Sequence, residues 1–384
     1  MKRRLVLLTE IIAPYRIPVF NKLVNQDGID LHVIFLAESD PSLREWLVYK
    51  DEIQFSYEVL PSWRHRLGKY NFLLNSGVTE TLRRSSPDVI VCGGYNYIAS
   101  WQSAIWAKRH QIPFLLWVES TAKDQREGHL LLESMKSMFM RNCDAFIAAG
   151  VSSFEYLRSF GLPREAIFIA PNAVDIEFFT ERADMVRADS APHRLRHALP
   201  DHFALFVGRL VREKGVFDLL RAYSQLTPKI REELSLVLVG DGEAHSELKR
   251  RAAEIYPGRI DFAGFLQREQ LVNYYALADM FIMPTHSDPW GLVVNEAMAC
   301  GLPVICSNIA GCVADLVEDG RNGLIFPAGD STALTNAMSA LAGDAELRVS
   351  MGRRSKERIL RNSPEACASG IAHAVLESAS AAYV

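Results

Sequence analysis

The stretch Pro284–Gly301, PTHSDPWGLVVNEAMACG, predicts a strand, a tight loop and a helix in succession. The apolar run Met280–Met283 in front of it is typical of a buried strand. Leu292–Cys300 then predicts a helix that is stopped by Gly301 and Pro303. This order of elements is the one found in parallel sheets, where a loop at the carboxyl end of a strand leads into a helix.

The start of this helix predicts a place for an anion. The amides near Gly291, Leu292 and Val293 have no partner inside the helix, and the helix dipole favours negative charge there. Two carboxylates flank the site, since Asp288 lies in the loop and Glu296 lies in the helix, with seven residues between them. The alternative is an ordinary strand–loop–helix unit in which Asp288 is only a helix cap.

The composition is that of a globular protein with two domains. The chain has 384 residues, of which 49% are hydrophobic and 23% are charged. The formal net charge of −4 gives no reason to expect a nucleic-acid partner. No apolar run approaches the ~18 residues of a membrane span. Met1–Arg4 leads directly into a predicted strand, so we expect no signal peptide.

The six cysteines contain no CxxC pair, and Cys300, Cys306 and Cys312 have no histidine near them in sequence. We therefore expect reduced, mostly buried thiols and a cytoplasmic protein. The sequence also has no HExxH motif and no DxD cluster, so no metal site is predicted.

Short β-like runs alternate with helical stretches along the whole chain, which predicts parallel sheets with crossover helices. In the first half these runs are Leu5–Thr9, Leu31–Phe35, Val89–Cys92, Phe114–Val118, Ala145–Ala148 and Phe168–Ala170. In the second half they are Ala204–Val207, Leu236–Val239, Ile260–Phe262, Met280–Met283, Val304–Cys306 and Leu324–Phe326. The polar stretch Glu181–Arg196 is interpreted as the link between the halves. The fold class is thus α/β, with two Rossmann-like domains whose parallel sheets face each other across a cleft.

Three loops of the first half carry groups that can bind a substrate, because they follow predicted strands. Tyr15 and Arg16 come after the first strand, where the alternative is that Tyr15 packs and Arg16 is solvated. Asn96 follows the strand at Val89. Glu119 ends the strand at Phe114, where it can act as a base or bind a hydroxyl, or can merely cap a helix.

The stretch Arg64–Leu74, preceded by Trp63, interleaves cationic residues with aromatic and apolar ones. This pattern can contact a membrane surface or a lipid-linked substrate. The alternative is the start of a helix with a solvated charged face.

The second half carries two cations in a loop that suits a diphosphate. Gly208 and Arg209 directly follow a predicted strand, and Lys214 precedes a helix. Arg209 offers a fork of donors and Lys214 a compact charge. The alternative is a pair of ordinary surface cations.

Two other loops of the second half follow predicted strands. Val239–Glu243 resembles a dinucleotide fingerprint but has His245 in place of the third glycine, so a nicotinamide site is not expected. Gly264 and Phe265 can present backbone groups to a flat base.

Taken in order, these segments resemble the retaining glycosyltransferases of family 4, which have the GT-B fold. The resemblance covers roughly Pro171–Arg361 and is thinner before it. The motifs that carry it are Pro171–Asp175 (PNAVD, where the family has PNGVD), Gly208–Gly215, Val239–Gly242, Phe262–Phe265, Asp288–Ile305 and Gly323–Pro327.

The resemblance implies a role for each matching residue of the second half. Arg209 and Lys214 bind the donor diphosphate and stabilise the departing charge in place of a metal. Glu296 matches the second acid of the family's E-x7-E motif and holds the ribose hydroxyls. Asp288 stands where the family usually has a glutamate that contacts the donor sugar, and it is shorter by one carbon, roughly 1.5 Å.

Backbone groups complete the implied donor site. The amides of Gly291, Leu292 and Val293 contact the sugar or phosphate, Gly208 lies beside the diphosphate, and Gly264 with Phe265 lies beside the base. The family's usual Gly-rich first loop and its histidine have no match here, and Glu119 stands near the place of that histidine.

The resemblance also divides the chain. It implies an acceptor domain over residues 1–175, a donor domain over 176–363, and a last helix, about Pro364–Tyr383, that crosses back onto the first domain. Tyr15, Arg16, Asn96 and Glu119 are then acceptor-side residues, with Glu119 counted among the catalytic ones beside Arg209, Lys214 and Asp288.

The predicted activity is metal-independent, retaining transfer of a hexose from a UDP- or GDP-linked donor, without a cofactor. The expected acceptor is a saccharide or lipid-linked saccharide in polysaccharide or glycolipid assembly. The expected location is cytoplasmic, with peripheral attachment to the cytoplasmic membrane face through Arg64–Leu74. Two alternatives stay open, a GT-B-fold sugar-nucleotide epimerase and a non-catalytic protein that binds nucleotide sugars.

Overall fold

Each half of the chain is organised by one parallel β-sheet. The computed structural model describes residues 2–40, 46–67, 70–122, 130–255 and 258–381. The chain separates into a first unit, Met1–Val174 with Asn362–Val384, and a second unit, Asp175–Arg361.

The first unit contains a seven-stranded sheet with the order β3-β2-β1-β6-β7-β8-β9, and a separate two-stranded hairpin, β4-β5. Its strands are β1 Arg3–Thr9, β2 Ile29–Phe35, β3 Ser56–Val59, β4 Ser62–Leu67, β5 Tyr70–Asn75, β6 Val89–Cys92, β7 Phe114–Val118, β8 Ala145–Ala148 and β9 Ile167–Ile169. Its helices are α1 Ile17–Leu23, α2 Val78–Ser85, α3 Ile98–His110, α4 Leu130–Met140, α5 Val151–Ser159 and the last helix of the chain, α16 Pro364–Ala381.

The second unit contains a six-stranded parallel sheet with the order β12-β11-β10-β13-β14-β15. Its strands are β10 Phe203–Val207, β11 Ser235–Val239, β12 Ile260–Gly264, β13 Met280–Met283, β14 Val304–Ser307 and β15 Gly323–Phe326. Its helices are α6 Ile176–Ala188, α7 Ser190–His197, α8 Val216–Gln225, α9 Pro228–Glu233, α10 His245–Ile255, α11 Arg268–Leu277, α12 Leu292–Ala299, α13 Val313–Leu316, α14 Ser331–Gly343 and α15 Ala345–Ile359.

The apolar runs form strands because both faces of each sheet are covered. In β1, Leu5 and Leu7 pack into the core on one face, and Val6 and Leu8 pack into the core on the other. A strand buried on both sides reads as a continuous apolar run, as parallel sheets require. All twelve predicted strands are therefore confirmed, with ends that differ by at most two residues.

The last helix belongs to the first unit. It presents Cys367, Ile371 and Val375, spaced by four residues, to the core under α1 and β9. At its start Glu365 forms an ion pair with Lys22 of α1 at 2.5 Å. All six cysteines are free thiols, and five of them are buried.

Two sequence interpretations are wrong. Glu181–Arg196, predicted to link the halves, lies in α6 and α7 of the second unit. The N-cap of α6 is Asp175, whose carboxylate accepts from the Phe178 amide at 3.0 Å. Trp63–Leu74 is not the start of a helix, because its described residues, 63–67 and 70–74, form antiparallel strands that pair Trp63 with Leu74 and His65 with Phe72.

Candidate functional site

The carboxyl ends of β10, β12 and β13 place the predicted residues of the second half at one edge of a sheet. Parallel strands all end at the same edge, so the loops that follow them are neighbours. The loop 284–291 between β13 and α12 is the centre of this group. Its backbone is fixed, because Gly311 donates to the Asp288 carbonyl at 3.0 Å and Cys312 donates to the Trp290 carbonyl at 3.1 Å.

Gly215 brings the cationic loop against this central loop. Its φ is +68°, and a Cβ there would lie 1.8 Å from the carbonyl oxygen of Pro284, so only glycine permits this approach. The contact is reinforced by the His286 amide, which donates to the Glu213 carbonyl at 2.8 Å. Lys214 lies between these two contacts in the chain and is thereby placed beside the central loop.

Lys214 and Asp288 form an ion pair at this junction. The Lys214 Nζ lies 2.5 Å from Asp288 Oδ2, and the side chains are 18% and 16% exposed. The other carboxylate oxygen, Oδ1, accepts from the Trp290 amide at 3.2 Å. Asp288 therefore caps the loop and is also the counterion of Lys214. The alternative in which Asp288 is only a cap accounts for the contact with Trp290 but not for the ion pair.

Arg209 lies in the same cationic loop but stays exposed. Within the described ranges, its guanidinium forms no ion pair with any carboxylate. The backbone around it is held by Gly208, whose amide donates to the Val239 carbonyl at 3.0 Å, and by Leu210, whose amide donates to the Asp241 carbonyl at 2.9 Å. The guanidinium of Arg209 is thus exposed on a segment whose backbone is held in place on both sides.

The glycines of Val239–Glu243 have a packing explanation. A Cβ on Gly240 would lie 2.0 Å from the Gly208 carbonyl oxygen, so this glycine allows two loops to approach each other closely. The Gly240 amide donates to the Gly264 carbonyl at 2.8 Å. Gly208, Gly240 and Gly264 therefore lie side by side, and Phe265 next to them is 36% exposed.

The helix α12 begins at the predicted place, with Gly291 as its left-handed N-cap at φ +99°. In the part of the chain that the structure describes, the amides of Gly291, Leu292 and Val293 donate to no backbone acceptor. Such amides at a helix start are suited to an anion.

Glu296 lies one turn into α12 and is held by a tyrosine of α11. The Tyr275 hydroxyl donates to Glu296 Oε2 at 2.8 Å. Burial raises the pKa of Glu296 to about 7, and the hydrogen bond from Tyr275 opposes that rise. A carboxylate in this state is half neutral near pH 7.

The predicted acceptor-side residues of the first unit are only partly brought together. The Arg16 guanidinium pairs with the Glu119 carboxylate and lies 3.8 Å from the centroid of the Trp117 ring. Tyr15 packs edge-on against Trp46, as one alternative expected. Arg16 is 12% exposed rather than solvated, and Glu119 caps no helix within the described ranges.

Asn96 is exposed after β6, at the same edge of the sheet as the ends of β1 and β7. The structure records no hydrogen bond from its side chain to Tyr15, Arg16 or Glu119 within the described residues.

The hairpin β4-β5 has one buried and one exposed face. Arg64 points inward, is 18% exposed and pairs with Asp40, which is 2% exposed, at 2.5 Å. Trp63, Phe72 and Leu74 on the other face are 58%, 48% and 40% exposed. Arg64 therefore does not lie on the exposed face of the hairpin, which is apolar, and membrane contact through Arg64–Leu74 stays a prediction.

The buried aromatic partners of Glu296 and Arg16 were not among the residues predicted from the sequence. Tyr275 and Trp117 are buried aromatic residues, and nothing in their local sequence distinguishes them from core positions. Only the spatial neighbours Glu296 and Arg16 reveal them.

The described residues contain neither a cluster of metal-ion ligands nor a helix suited to span a membrane. No group of three or more His, Cys, Asp or Glu side chains there is placed to hold a metal ion. No helix within the same ranges combines the length and apolar character needed to cross a membrane.

The sequence matches two family models that together span most of the chain. The family described as "Glycosyltransferase Family 4" matches residues 22–178, and "Glycosyl transferases group 1" matches residues 189–358.

Two relatives match over part of their length. D-inositol 3-phosphate glycosyltransferase of Corynebacterium jeikeium is 32% identical over 217 residues, which cover 54% of this chain and 50% of that protein. Sulfoquinovosyl transferase SQD2 of Arabidopsis thaliana is 31% identical over 216 residues, covering 55% of this chain and 38% of that protein. The match thus spans about half of these relatives or less.

A solved structure resembles the chain over nearly its whole length. HepE from Anabaena, in complex with UDP, has a TM-score of 0.74 at 21% identity, and the match covers 98% of this chain and 100% of that one. At this identity the likeness concerns the fold, which is GT-B. The two family models, together with this fold, show that the chain belongs to the GT-B glycosyltransferases of the group 1, family 4 type.

Proposed function

We propose that the chain is a retaining glycosyltransferase that moves a hexose from a nucleotide sugar to an acceptor hydroxyl. The observation that carries this proposal is the group at the carboxyl edge of the second sheet. There Lys214, Asp288 and the start of α12 lie together, and Glu296 follows one turn later. A cation and free helix amides suit a diphosphate, and a carboxylate suits the hydroxyls of a ribose.

In the proposed reaction Arg209 and Lys214 neutralise the diphosphate as it leaves, in the role that a metal has in other transferases. The amides of Gly291, Leu292 and Val293 bind the sugar or a phosphate oxygen. Gly208 lies beside the diphosphate, and Gly264 with Phe265 lies beside the base. UDP and GDP are the candidate nucleotides, and the likeness to HepE in complex with UDP favours UDP.

Transfer with retention forms the new bond on the face of the sugar from which the diphosphate departs. The acceptor oxygen bonds to the anomeric carbon as the bond to the phosphate oxygen breaks. The departing phosphate takes the proton of the acceptor hydroxyl. We assign the acceptor to the first unit, where Tyr15, Arg16, Asn96 and Glu119 follow the strands β1, β6 and β7. Because the Glu119 carboxylate is paired with Arg16, we propose that it orients the acceptor.

We further propose that the acceptor belongs to polysaccharide or glycolipid assembly at the cytoplasmic membrane face. The support is the apolar outer face of the β4-β5 hairpin, formed by Trp63, Phe72 and Leu74. Aromatic side chains of this kind partition into the interface of a bilayer.

The test is the melting temperature of the purified protein with UDP, GDP or ADP, each with EDTA present. A ligand that binds the native state raises the melting temperature by mass action. We expect a rise with UDP or GDP that Lys214→Ala reduces. No rise with any nucleotide would overturn the proposed donor site.

Nucleotide release then separates the remaining candidates. A transferase releases the nucleotide in proportion to glycosylated acceptor. An epimerase of the same fold converts the donor without any acceptor, and a binding protein releases no nucleotide.

A further inference from the structure

Tyr275 is a fully buried residue that connects two helices at the proposed donor site. It lies on α11 and is 0% exposed. Its ring centroid lies 6.2 Å from that of Phe179 on α6 and 5.9 Å from that of Phe281 on β13. The ring is therefore fixed by aromatic packing from two other elements, so the position of its hydroxyl is fixed too.

That hydroxyl has a defined hydrogen-bond role. It donates to Glu296 Oε2 at 2.8 Å, and burial together with the Glu296 charge raises the pKa of Tyr275 well above its usual value, so the phenol keeps its proton. Within the described residues no lysine, arginine or histidine pairs with Glu296, and its Oε1 takes no hydrogen bond. Tyr275 is thus the group that supports this carboxylate.

We propose that Tyr275 is a positioning residue for the nucleotide ribose, which holds Glu296 by one carboxylate oxygen and leaves the other to accept from the ribose hydroxyls. This inference rests on the proposed function, which assigns the ribose to Glu296. It adds a second residue, on a different helix, that determines how that carboxylate is presented.

The hydrogen bond acts on the charge of Glu296 as well as on its position. Burial raises the pKa of Glu296 to about 7, and the Tyr275 hydroxyl opposes this rise because it binds the ionised form better. The Cys300 thiol, at the C-cap of α12, is another titratable group that interacts with Glu296. Cys300 in turn senses Arg187 and Asp184 of α6 and Lys356 of α15. Without the hydroxyl, a larger fraction of Glu296 is neutral at pH 7 and accepts less well from the ribose.

The test compares Tyr275→Phe with the natural protein by calorimetric titration of UDP and GDP between pH 6 and 9. With Glu296 ionising about one pH unit higher in the variant, its ionised fraction at pH 7 falls from about one half to about one tenth, so we expect an about fivefold loss of affinity at pH 7. Affinity rises with pH as Glu296 ionises, and we expect the midpoint of that rise to move upward by about one pH unit in the variant. The 2′,3′-dideoxy form of the same nucleotide should bind both proteins equally.

Tyr274→Phe is the matched control. Tyr274 is the neighbouring residue on α11, is 6% exposed and packs edge-on against His197 at 5.7 Å. It has no hydrogen bond to Glu296 within the described residues. We expect Tyr274→Phe to bind UDP and GDP with the affinity and pH profile of the natural protein.

A second variant covers the case in which Tyr275→Phe does not fold. Incorporation of 3-fluorotyrosine at position 275 keeps the ring and the hydroxyl but makes the hydroxyl a stronger donor. We expect the midpoint of nucleotide affinity to move to lower pH.

Each result decides between distinct conclusions. An unchanged affinity and midpoint in Tyr275→Phe would overturn the inference while nucleotide binding itself stands. An equal loss for the ribose and dideoxyribose nucleotides would assign Tyr275 a structural role only. Failure of the natural protein to bind either UDP or GDP would overturn the proposed function and this inference together.

Discussion

The ion pair between Lys214 and Asp288 predicts opposite effects of one substitution on stability and on nucleotide affinity. Asp288→Asn removes the charge that faces Lys214 Nζ at 2.5 Å but keeps Oδ1, which accepts from the Trp290 amide at 3.2 Å. The substitution therefore isolates the charge from the loop cap. Asp288→Ala removes both and is the matched comparison.

The expected loss of stability follows from the burial of the pair. Exposed pairs contribute about 0–1 kcal/mol, and breaking a fully buried pair costs about 3–5 kcal/mol. At 18% and 16% exposure the pair lies between these limits, so we expect Asp288→Asn to cost roughly 2 kcal/mol. For a unit of this size that lowers the melting temperature by about 4–8 °C.

Nucleotide affinity should move the other way. Asp288→Asn removes a negative charge beside the proposed diphosphate site and leaves Lys214 without a competing partner, so UDP or GDP should bind several times more tightly. Melting curves with and without nucleotide give both quantities. The double variant Lys214→Met/Asp288→Asn should recover most of the lost stability, since neither charge is then left alone. Additive losses in the double variant, or weaker nucleotide binding by Asp288→Asn, would refute this reasoning.

Three further predictions concern separate features. The pKa of Glu296 is raised from 4.5 to about 7 in the native state, so between these pH values the native state holds a proton that the unfolded chain has released. The free energy of unfolding should therefore fall by at most about 3 kcal/mol as pH rises from 4.5 to 7. Melting temperatures of Glu296→Gln across that window should be flatter, and parallel profiles would contradict the assignment. Gly215→Ala should lower the free energy of unfolding by at least about 2 kcal/mol and weaken nucleotide binding, because at φ +68° its Cβ would lie 1.8 Å from the Pro284 carbonyl oxygen. A melting temperature and a nucleotide affinity close to those of the natural protein would show that the two loops do not need this close approach. Trp63→Ser with Phe72→Ser should abolish co-sedimentation with anionic phospholipid vesicles, while Leu195→Ser, at an 85% exposed position, should not; retained binding would exclude the hairpin as the contact.

The fold could be predicted from the sequence because its signals are local. A strand covered on both faces is a continuous apolar run, and Met280–Met283 and Val89–Cys92 are found with their bounds unchanged. The prediction of a linker over Glu181–Arg196 was wrong. The second part of this stretch forms α7, which has no buried residue and therefore lacks the apolar stripe that indicates a helix. The helix considered for Trp63–Leu74 was wrong because the stretch was judged by its charged residues and not by the alternation of its side chains between two faces. Trp63 and His65 lie on one face and Arg64 on the other, which is the period of a strand.

The candidate site could be predicted as a neighbourhood but not as a set of contacts. The rule that parallel strands end at one edge brings Lys214, Asp288 and Glu296 to the same sheet edge from sequence alone. It says nothing of which side chains pair there. The partners Lys214 and Asp288 are 74 residues apart in the chain, and Tyr275 and Glu296 are 21 apart. Such pairs depend on packing that no local pattern encodes.

The contacts of Asp288 give a physical explanation for the shorter acid at this position. A glutamate in its place reaches roughly 1.5 Å further. In this chain one oxygen of Asp288 is held by Lys214 and the other by the Trp290 amide, and both belong to elements fixed by Gly215 and by the Gly311–Cys312 backbone. Each of these oxygens keeps a further lone pair, so Asp288 can accept from a donor sugar only from the position that its two partners set. The same carboxylate therefore sets the position and the effective charge of Lys214, and Asp288→Glu should change sugar preference more than it changes stability, which melting curves and a panel of nucleotide sugars measure.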